Sequence, residues 1–211
     1  MIEGLRRRPL LLASTNPRKR ERLAWLVEGL GVSCAAPPAD LGPSETGSTH
    51  RANAEIKAVA WSRQVGGLAL ASDGGVHIPA LGPRWSSVTT ARAAGAPPGD
   101  DLARIAHLLA LLQPYRGDER RVVWREAVAL ADDGRLLGSW EAEGPEGIVL
   151  ESPPDRLRRP GLWVEEVWWC PALGKVLAEA SLDEIERLGS AWARLRPLVR
   201  ACLQRALQAP D

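Results

Sequence analysis

Most of the residues best suited to chemistry lie within the first 74 positions of the chain: Ser14, Thr15, Asn16 and Lys19, then Glu45, Asn53 and Lys57, then Asp73 and Gly74. Asn53 and Lys57 are four residues apart, so on a helix they share a face about one turn from each other. An amide and an ammonium on one face, below a loop carrying Glu45, can hold a phosphate and a metal together. Taken alone, the same spacing also describes a solvated helix face. Asp73 follows the apolar run Leu68-Ala69-Leu70-Ala71 and precedes Gly74-Gly75. A carboxylate at the end of a buried strand, followed by glycines that admit a close approach, is a common place for a metal or catalytic group in an α/β protein. Asp-Gly is equally the signature of a plain turn. The chain has 24 arginines but only three lysines, Lys19, Lys57 and Lys175. Where Arg dominates so strongly, a retained Lys points to a need for a compact, strongly hydrated charge.

The elements that must position these groups can be read in order. Residues 10–15 form a short apolar run expected to be a strand. Asn16 caps a following helix and Pro17 suits its first position, with Leu23, Trp25, Leu26 and Leu30 inward and Gly29 and Gly31 ending it. A strand, a turn and a helix N-terminus make an anion site, to which Lys19 adds a full charge. Residues 31–42 read as a weak strand and a Pro-containing loop, after which Thr49 caps the helix carrying Asn53 and Lys57. The Gly/Pro/Ser/Thr-rich stretch 82–98 is long enough for a functional loop. Asp100 or Asp101 starts a helix to about Leu112, with Leu102, Ile105, Leu108, Leu109 and Leu112 on its apolar side. Strands are expected at Val122–Ala131 and Leu136–Ala142, joined at Asp132-Asp133-Gly134, with a further short strand at 144–150. The tryptophans of 161–171 supply core or dimer interface, or a surface that stacks on a base. Ser181 and Glu184 form a capping box, and the helical rhythm of Ile185, Leu188, Trp192, Leu195 and Leu198 runs to the end, with Pro197 kinking or dividing it.

Composition narrows the function. The net charge of +1 argues against a dedicated nucleic-acid binder, which needs a basic excess to neutralise phosphates. No apolar run approaches the roughly 20 residues that span a bilayer, so a soluble, cytoplasmic protein with no membrane partner is expected. Cys34, Cys170 and Cys202 are odd in number and widely spaced, implying neither a disulfide framework nor a zinc site.

Together these stretches resemble the inosine triphosphate pyrophosphatase family of house-cleaning nucleoside triphosphatases. Leu12-Ala13-Ser14-Thr15-Asn16-Pro17-Arg18-Lys19 resembles the family's A-T-x-N-x-x-K. The stretch from Glu45 to Ala58 resembles E-T-G-x-T…N-A-x-x-K-A, Ala71–Val76 stands where the family has A-D-D-S-G-L, and Gly144–Ile148 resembles G-x-x-G-x-I. The resemblance implies an α/β fold with an elongated mixed central β-sheet flanked by helices, two lobes with a central cleft, in one family domain spanning residues 1–211, and a homodimer. It implies hydrolysis of a nucleoside triphosphate to monophosphate and pyrophosphate with Mg²⁺, preferring deaminated purines such as those of ITP, XTP and dITP. By position it assigns Asp73, Glu45 and Lys57 to catalysis and Glu45 and Asp73 to the metal. Ser14, Thr15, Asn16, Lys19, Asn53, Lys57, Gly74 and Lys175 are then assigned to substrate and phosphate.

The chain also departs from that pattern. Ser72 stands where the family's acidic pair has its first Asp, and Arg22 replaces a Glu, with Glu21 adjacent. Gly161-Leu162-Trp163-Val164-Glu165-Glu166 replaces G-F-G-Y-D-P, and Gly189-Ser190-Ala191 replaces S-H-R, two motifs that serve base recognition and phosphate. Two readings follow: a divergent active pyrophosphatase, or a catalytically degenerate nucleotide-binding or structural homodimer that keeps the fold.

Overall fold

The computed structural model describes residues 9–38, 42–89, 100–159 and 161–208. The strands are β1 (Leu10–Leu12), β2 (Cys34–Ala35), β3 (Leu68–His77), β4 (Arg121–Asp132), β5 (Arg135–Val149), β6 (Trp168–Cys170) and β7 (Lys175–Val176). The helices are α1 (Pro17–Val27), α2 (His50–Val65), α3 (Asp101–Leu111), α4 (Leu182–Arg187) and α5 (Ala191–Gln208). The strands form one mixed seven-stranded sheet in the order β2-β1-β3-β4-β5-β6-β7, flanked by helices. β1 is parallel to both β2 and β3, and β6 is antiparallel to β5 and β7.

The chain divides into two compact units. The first comprises Met1–Asp73, Glu126–Ala142 and Trp192–Asp211. Its strands alternate in the period of two that a sheet with both faces covered requires. Leu10, Leu12, Leu70, Val128 and Leu130 pack with Leu23 and Leu26 of α1 and Leu195 and Val199 of α5. Leu11, Ala13, Ala69, Ala71, Ala127, Ala129 and Ala131 pack under Ala54, Ala58 and Trp61 of α2. Alanine on both sides of that contact lets α2 approach the sheet closely, which brings side chains at its N-terminal half within reach of β3.

The second unit comprises Gly74–Arg125 and Glu143–Ala191, with a core of Ile105, Leu108 and Leu112 of α3 against Trp85, Trp163, Trp168, Val122 and Val149. Trp85 and Trp163 meet edge to face at 6.4 Å. Arg120, 2% exposed, donates to the carbonyls of Leu112, Val149 and Leu150 at 2.6–2.7 Å. Trp163 and Trp168 are thus core.

Several elements differ from expectation. β3 does not stop at Ala71 but runs through Ser72-Asp73-Gly74-Gly75 to His77, so Asp-Gly here is strand and not turn. β5 is one strand through Val149 where two were expected. Glycine is required at 147 because a Cβ there would lie 1.9 Å from Trp168 Nε1. Leu102 is 53% exposed because the first turn of α3 turns Asp101 inward, where it accepts from the Gly161 N–H at 2.5 Å. The last helical stretch is divided at Gly189 (φ 79°), and α5 runs through Pro197 with Leu198 exposed. Part of the 82–98 stretch forms 3-10 turns at Pro79–Arg84 and Ser87–Thr89, and residues 90–99 lie outside the described residues. The three cysteines are free.

Candidate active site

β1 pairs with β3 only as far as Leu12 with Leu70, and the Ala13 N–H donates to the Leu70 carbonyl at 2.8 Å. Beyond that point the chain leaves the sheet through Ser14 and Thr15, while β3 continues. Asp73 therefore stands just past the carboxyl end of a parallel strand pair, the position that α/β sheets use for ligands, although it is inside its own strand.

Asp73 continues the row of Ala69 and Ala71, so it faces α2. It is 6% exposed and both of its oxygens are engaged. Oδ2 is 2.8 Å from His50 Nδ1, and Oδ1 accepts from Lys57 Nζ at 3.1 Å. The same ammonium donates to Glu45 Oε1 at 3.0 Å, so Lys57 joins the two carboxylates. Burial pushes the Asp73 pKa up, but the hydrogen bond from His50 and the charges of Lys57 and Lys19 outweigh it and hold the carboxyl below its ordinary value.

Local folding explains how these groups meet. Thr49 Oγ1 accepts from the Ala52 N–H at 3.1 Å and starts α2, and Gly66 in the left-handed region ends it. His50, Asn53 and Lys57 are then three and four residues apart on one face. Asn53, 1% exposed, accepts the Gly47 N–H on Oδ1 at 2.7 Å and thereby ties down the loop that carries Glu45. A Cβ at Gly47 would lie 2.7 Å from that oxygen and 2.8 Å from Ala52 Cβ, so glycine is needed for the close approach.

At the start of α1, Asn16 Oδ1 accepts from the N–H groups of Arg18 (2.9 Å) and Lys19 (3.5 Å). The expected anion site is altered by this: Asn16 itself occupies two first-turn donors, which leaves side-chain charge, that of Lys19 among it, to attract an anion there. Ser14 Oγ accepts from Asn16 N at 3.2 Å, and Arg20 Nη1 holds the carbonyls of Ser14 and Thr15. Lys19 Nζ lies 3.9 Å from Glu126 Oε1.

The fold thus brings Glu45, Lys57 and Asp73 into direct contact, with Asn53 supporting them and Lys19 acting on Asp73 through its charge. Gly74 follows Asp73 on β3. Lys175 belongs to the second unit, where it donates to Glu184 Oε1 at 2.8 Å and helps lower the pKa of that carboxyl to about 2. Glu184 also completes the capping box with Ser181. His50 and Glu126 escaped the sequence reading. Among the described residues no group of three His, Cys, Asp or Glu is placed to hold a metal; the two carboxylates that meet at Lys57 are Glu45 and Asp73. Also among the described residues, no helix is long and apolar enough to cross a membrane.

Comparison with known proteins places the chain among relatives of one family. The Ham1 family model matches residues 10–154. A dITP/XTP pyrophosphatase of Gloeobacter violaceus is 33% identical over 195 residues, covering 92% of this chain and 93% of the relative. One from Thermus thermophilus is 31% identical over 204 residues, covering 95% and 93%. The structure of a HAM1 protein from Coxiella burnetii superimposes with a TM-score of 0.74 at 26% identity, covering 92% of this chain and 98% of that one.

Proposed function

The chain belongs to the Ham1 family, and from that membership we propose that it is a Mg²⁺-dependent nucleoside triphosphate pyrophosphatase. It would cleave a triphosphate to monophosphate and pyrophosphate, taking deaminated purine nucleotides such as dITP, ITP and XTP. One observation carries the reading: a single ammonium, Lys57, lies within hydrogen-bond distance of both Glu45 and Asp73. Two carboxylates converging on one cation suit Mg²⁺, which takes one or two carboxylates and fills its shell with water and phosphate oxygens. Glu45 and Asp73 would hold it. The ion would supply positive charge to the phosphates and activate a water for attack.

The rest is work for the chain's own side chains. Asp73, with its pKa held low, is ionised at neutral pH and available as a ligand or acceptor. His50 fixes the plane of that carboxylate by holding Oδ2, which leaves Oδ1 on the Lys57 side. Lys57 and Lys19 neutralise the charge that builds on the departing pyrophosphate. Asn53 keeps the Glu45 loop seated on α2.

Ser72 favours a second reading, a nucleotide-binding or structural homodimer without turnover, because it removes a carboxylate beside Asp73. Release of pyrophosphate from dITP, ITP, XTP, ATP and GTP with Mg²⁺ separates the two readings. Turnover supports the enzyme, and a rise in Tm with triphosphate but no pyrophosphate supports the binder. A homodimer in the cytoplasm completes the proposal; light scattering on the purified protein reads the oligomeric state.

A further inference from the structure

A buried carboxylate lies on the other face of the sheet, the one turned away from Asp73. Leu70 and Ser72 follow one another on that face of β3, and Glu126, Val128 and Leu130 on that face of β4, its neighbour in the sheet. Ser72 is 1% exposed, and its Oγ is a buried hydroxyl without a hydrogen-bond partner. Glu126 is fully buried, in a row whose next members are Val128 and Leu130. An apolar side chain would suit that row, and a buried carboxylate is often no better for stability than an apolar residue of its size. Lys19 faces it: Nζ is 3.9 Å from Glu126 Oε1, and the Lys19 side chain is 25% exposed. The same ammonium acts on the charge of Asp73.

We propose that Glu126 is the positioning residue for Lys19, holding its ammonium at the triphosphate and doing on this face of the sheet what a carboxylate at position 72 would do. Lysine carries its charge on a flexible four-carbon stem, and an ammonium left to solvent must be ordered when the phosphate arrives. Its three N–H donors allow it to keep Glu126 and take a phosphate oxygen at once. Ser72 and Glu126 share the face on adjacent strands, so a carboxylate at either position can approach the same amine. The proposal rests on the nucleotide reading given above.

A double-mutant cycle tests it, with binding of an unhydrolysable α,β-methylene triphosphate with Mg²⁺ measured by calorimetry. Glu126→Gln keeps the shape and removes the charge; binding is expected to weaken by about tenfold, the worth of one charge-assisted contact. Lys19→Met should weaken it at least as much, and the double variant should be no worse than Lys19→Met, because Glu126 acts through Lys19. Adding Ser72→Asp to Glu126→Gln should recover most of the loss, which a purely structural glutamate would not permit. Unchanged binding by Glu126→Gln, losses that multiply in the double variant, or no recovery with Ser72→Asp would each overturn the proposal. Should Glu126→Gln not fold, Glu126→Asp takes its place in the cycle, since it withdraws the carboxylate from Lys19 by one methylene, and the same outcomes decide. A wild type that binds the analogue but releases no pyrophosphate from any triphosphate overturns the catalytic reading alone. One that does not bind the analogue overturns both.

Discussion

Replacing Asp73 by Asn removes one negative charge at almost constant shape, and the structure sets the size of the effect. Both contacts of Asp73 come from donors, His50 at 2.8 Å and Lys57 at 3.1 Å. An amide offers one acceptor and one NH₂, so one of the two contacts becomes donor against donor. Leaving a buried partner unsatisfied costs about 1–3 kcal/mol. The lower half of that range is expected, since Lys57 retains Glu45 at 3.0 Å and the His50 ring can change tautomer. For a chain of 211 residues that is a fall in Tm of roughly 2–8 °C. The pH dependence has a definite sign. The folded pKa of Asp73 lies below its ordinary value of 3.8, so its charge adds stability that is fully present above the unfolded value and is lost as pH falls through the folded one. Wild type should lose its margin over Asp73→Asn between about pH 4 and the acid limit of the fold. Pyrophosphate release should drop by the order of 10²-fold or more, because the loss falls on a group that serves the reaction. Thermal melts from pH 8 down to pH 3, with turnover measured on the same samples, check all three. A variant with unchanged turnover and a melting curve parallel to wild type at every pH would refute the placement of Asp73 at the site.

His50→Phe keeps a ring but removes the donor to Asp73; turnover should fall by about tenfold and the Asp73 contribution to acid stability should shrink, read from the same melts. Gly47→Ala forces a Cβ to within 2.7 Å of Asn53 Oδ1, displacing the Glu45 loop; Mg²⁺-dependent turnover should drop more than tenfold while Tm changes by only a few degrees. Gly147→Ala places a Cβ 1.9 Å from Trp168 Nε1 in the core of the second unit; a loss of about 1–3 kcal/mol or more should appear in denaturant unfolding.

The capping signals were legible because they are local: Asn16-Pro17, Thr49, Asp100 and the Ser181–Glu184 box each begin the helix they predict. Motif order singled out Glu45, Lys57 and Asp73, but that Lys57 bonds both carboxylates is visible only in the fold. Glycine misled in both long strands. Gly74-Gly75 and Gly144 to Gly147 look like breaks in sequence, whereas the sheet runs through them and, at 147, needs the missing Cβ for a tryptophan ring. His50 left a trace, since it shares the face of Asn53 and Lys57 at spacings of three and seven. Its partner 23 residues on is settled only when α2 packs on β3. Glu126 was also traceable, as a charge on the inward side of an apolar alternation. That it meets Lys19 depends on how α1 covers the sheet.

The most direct measurement is pyrophosphate release by the purified wild type from dITP and XTP, with Mg²⁺ and with Mg²⁺ chelated. Stoichiometric monophosphate and pyrophosphate, formed only with the metal and abolished in Asp73→Asn, is the predicted result. A folded protein that binds these nucleotides and leaves them intact would contradict the account.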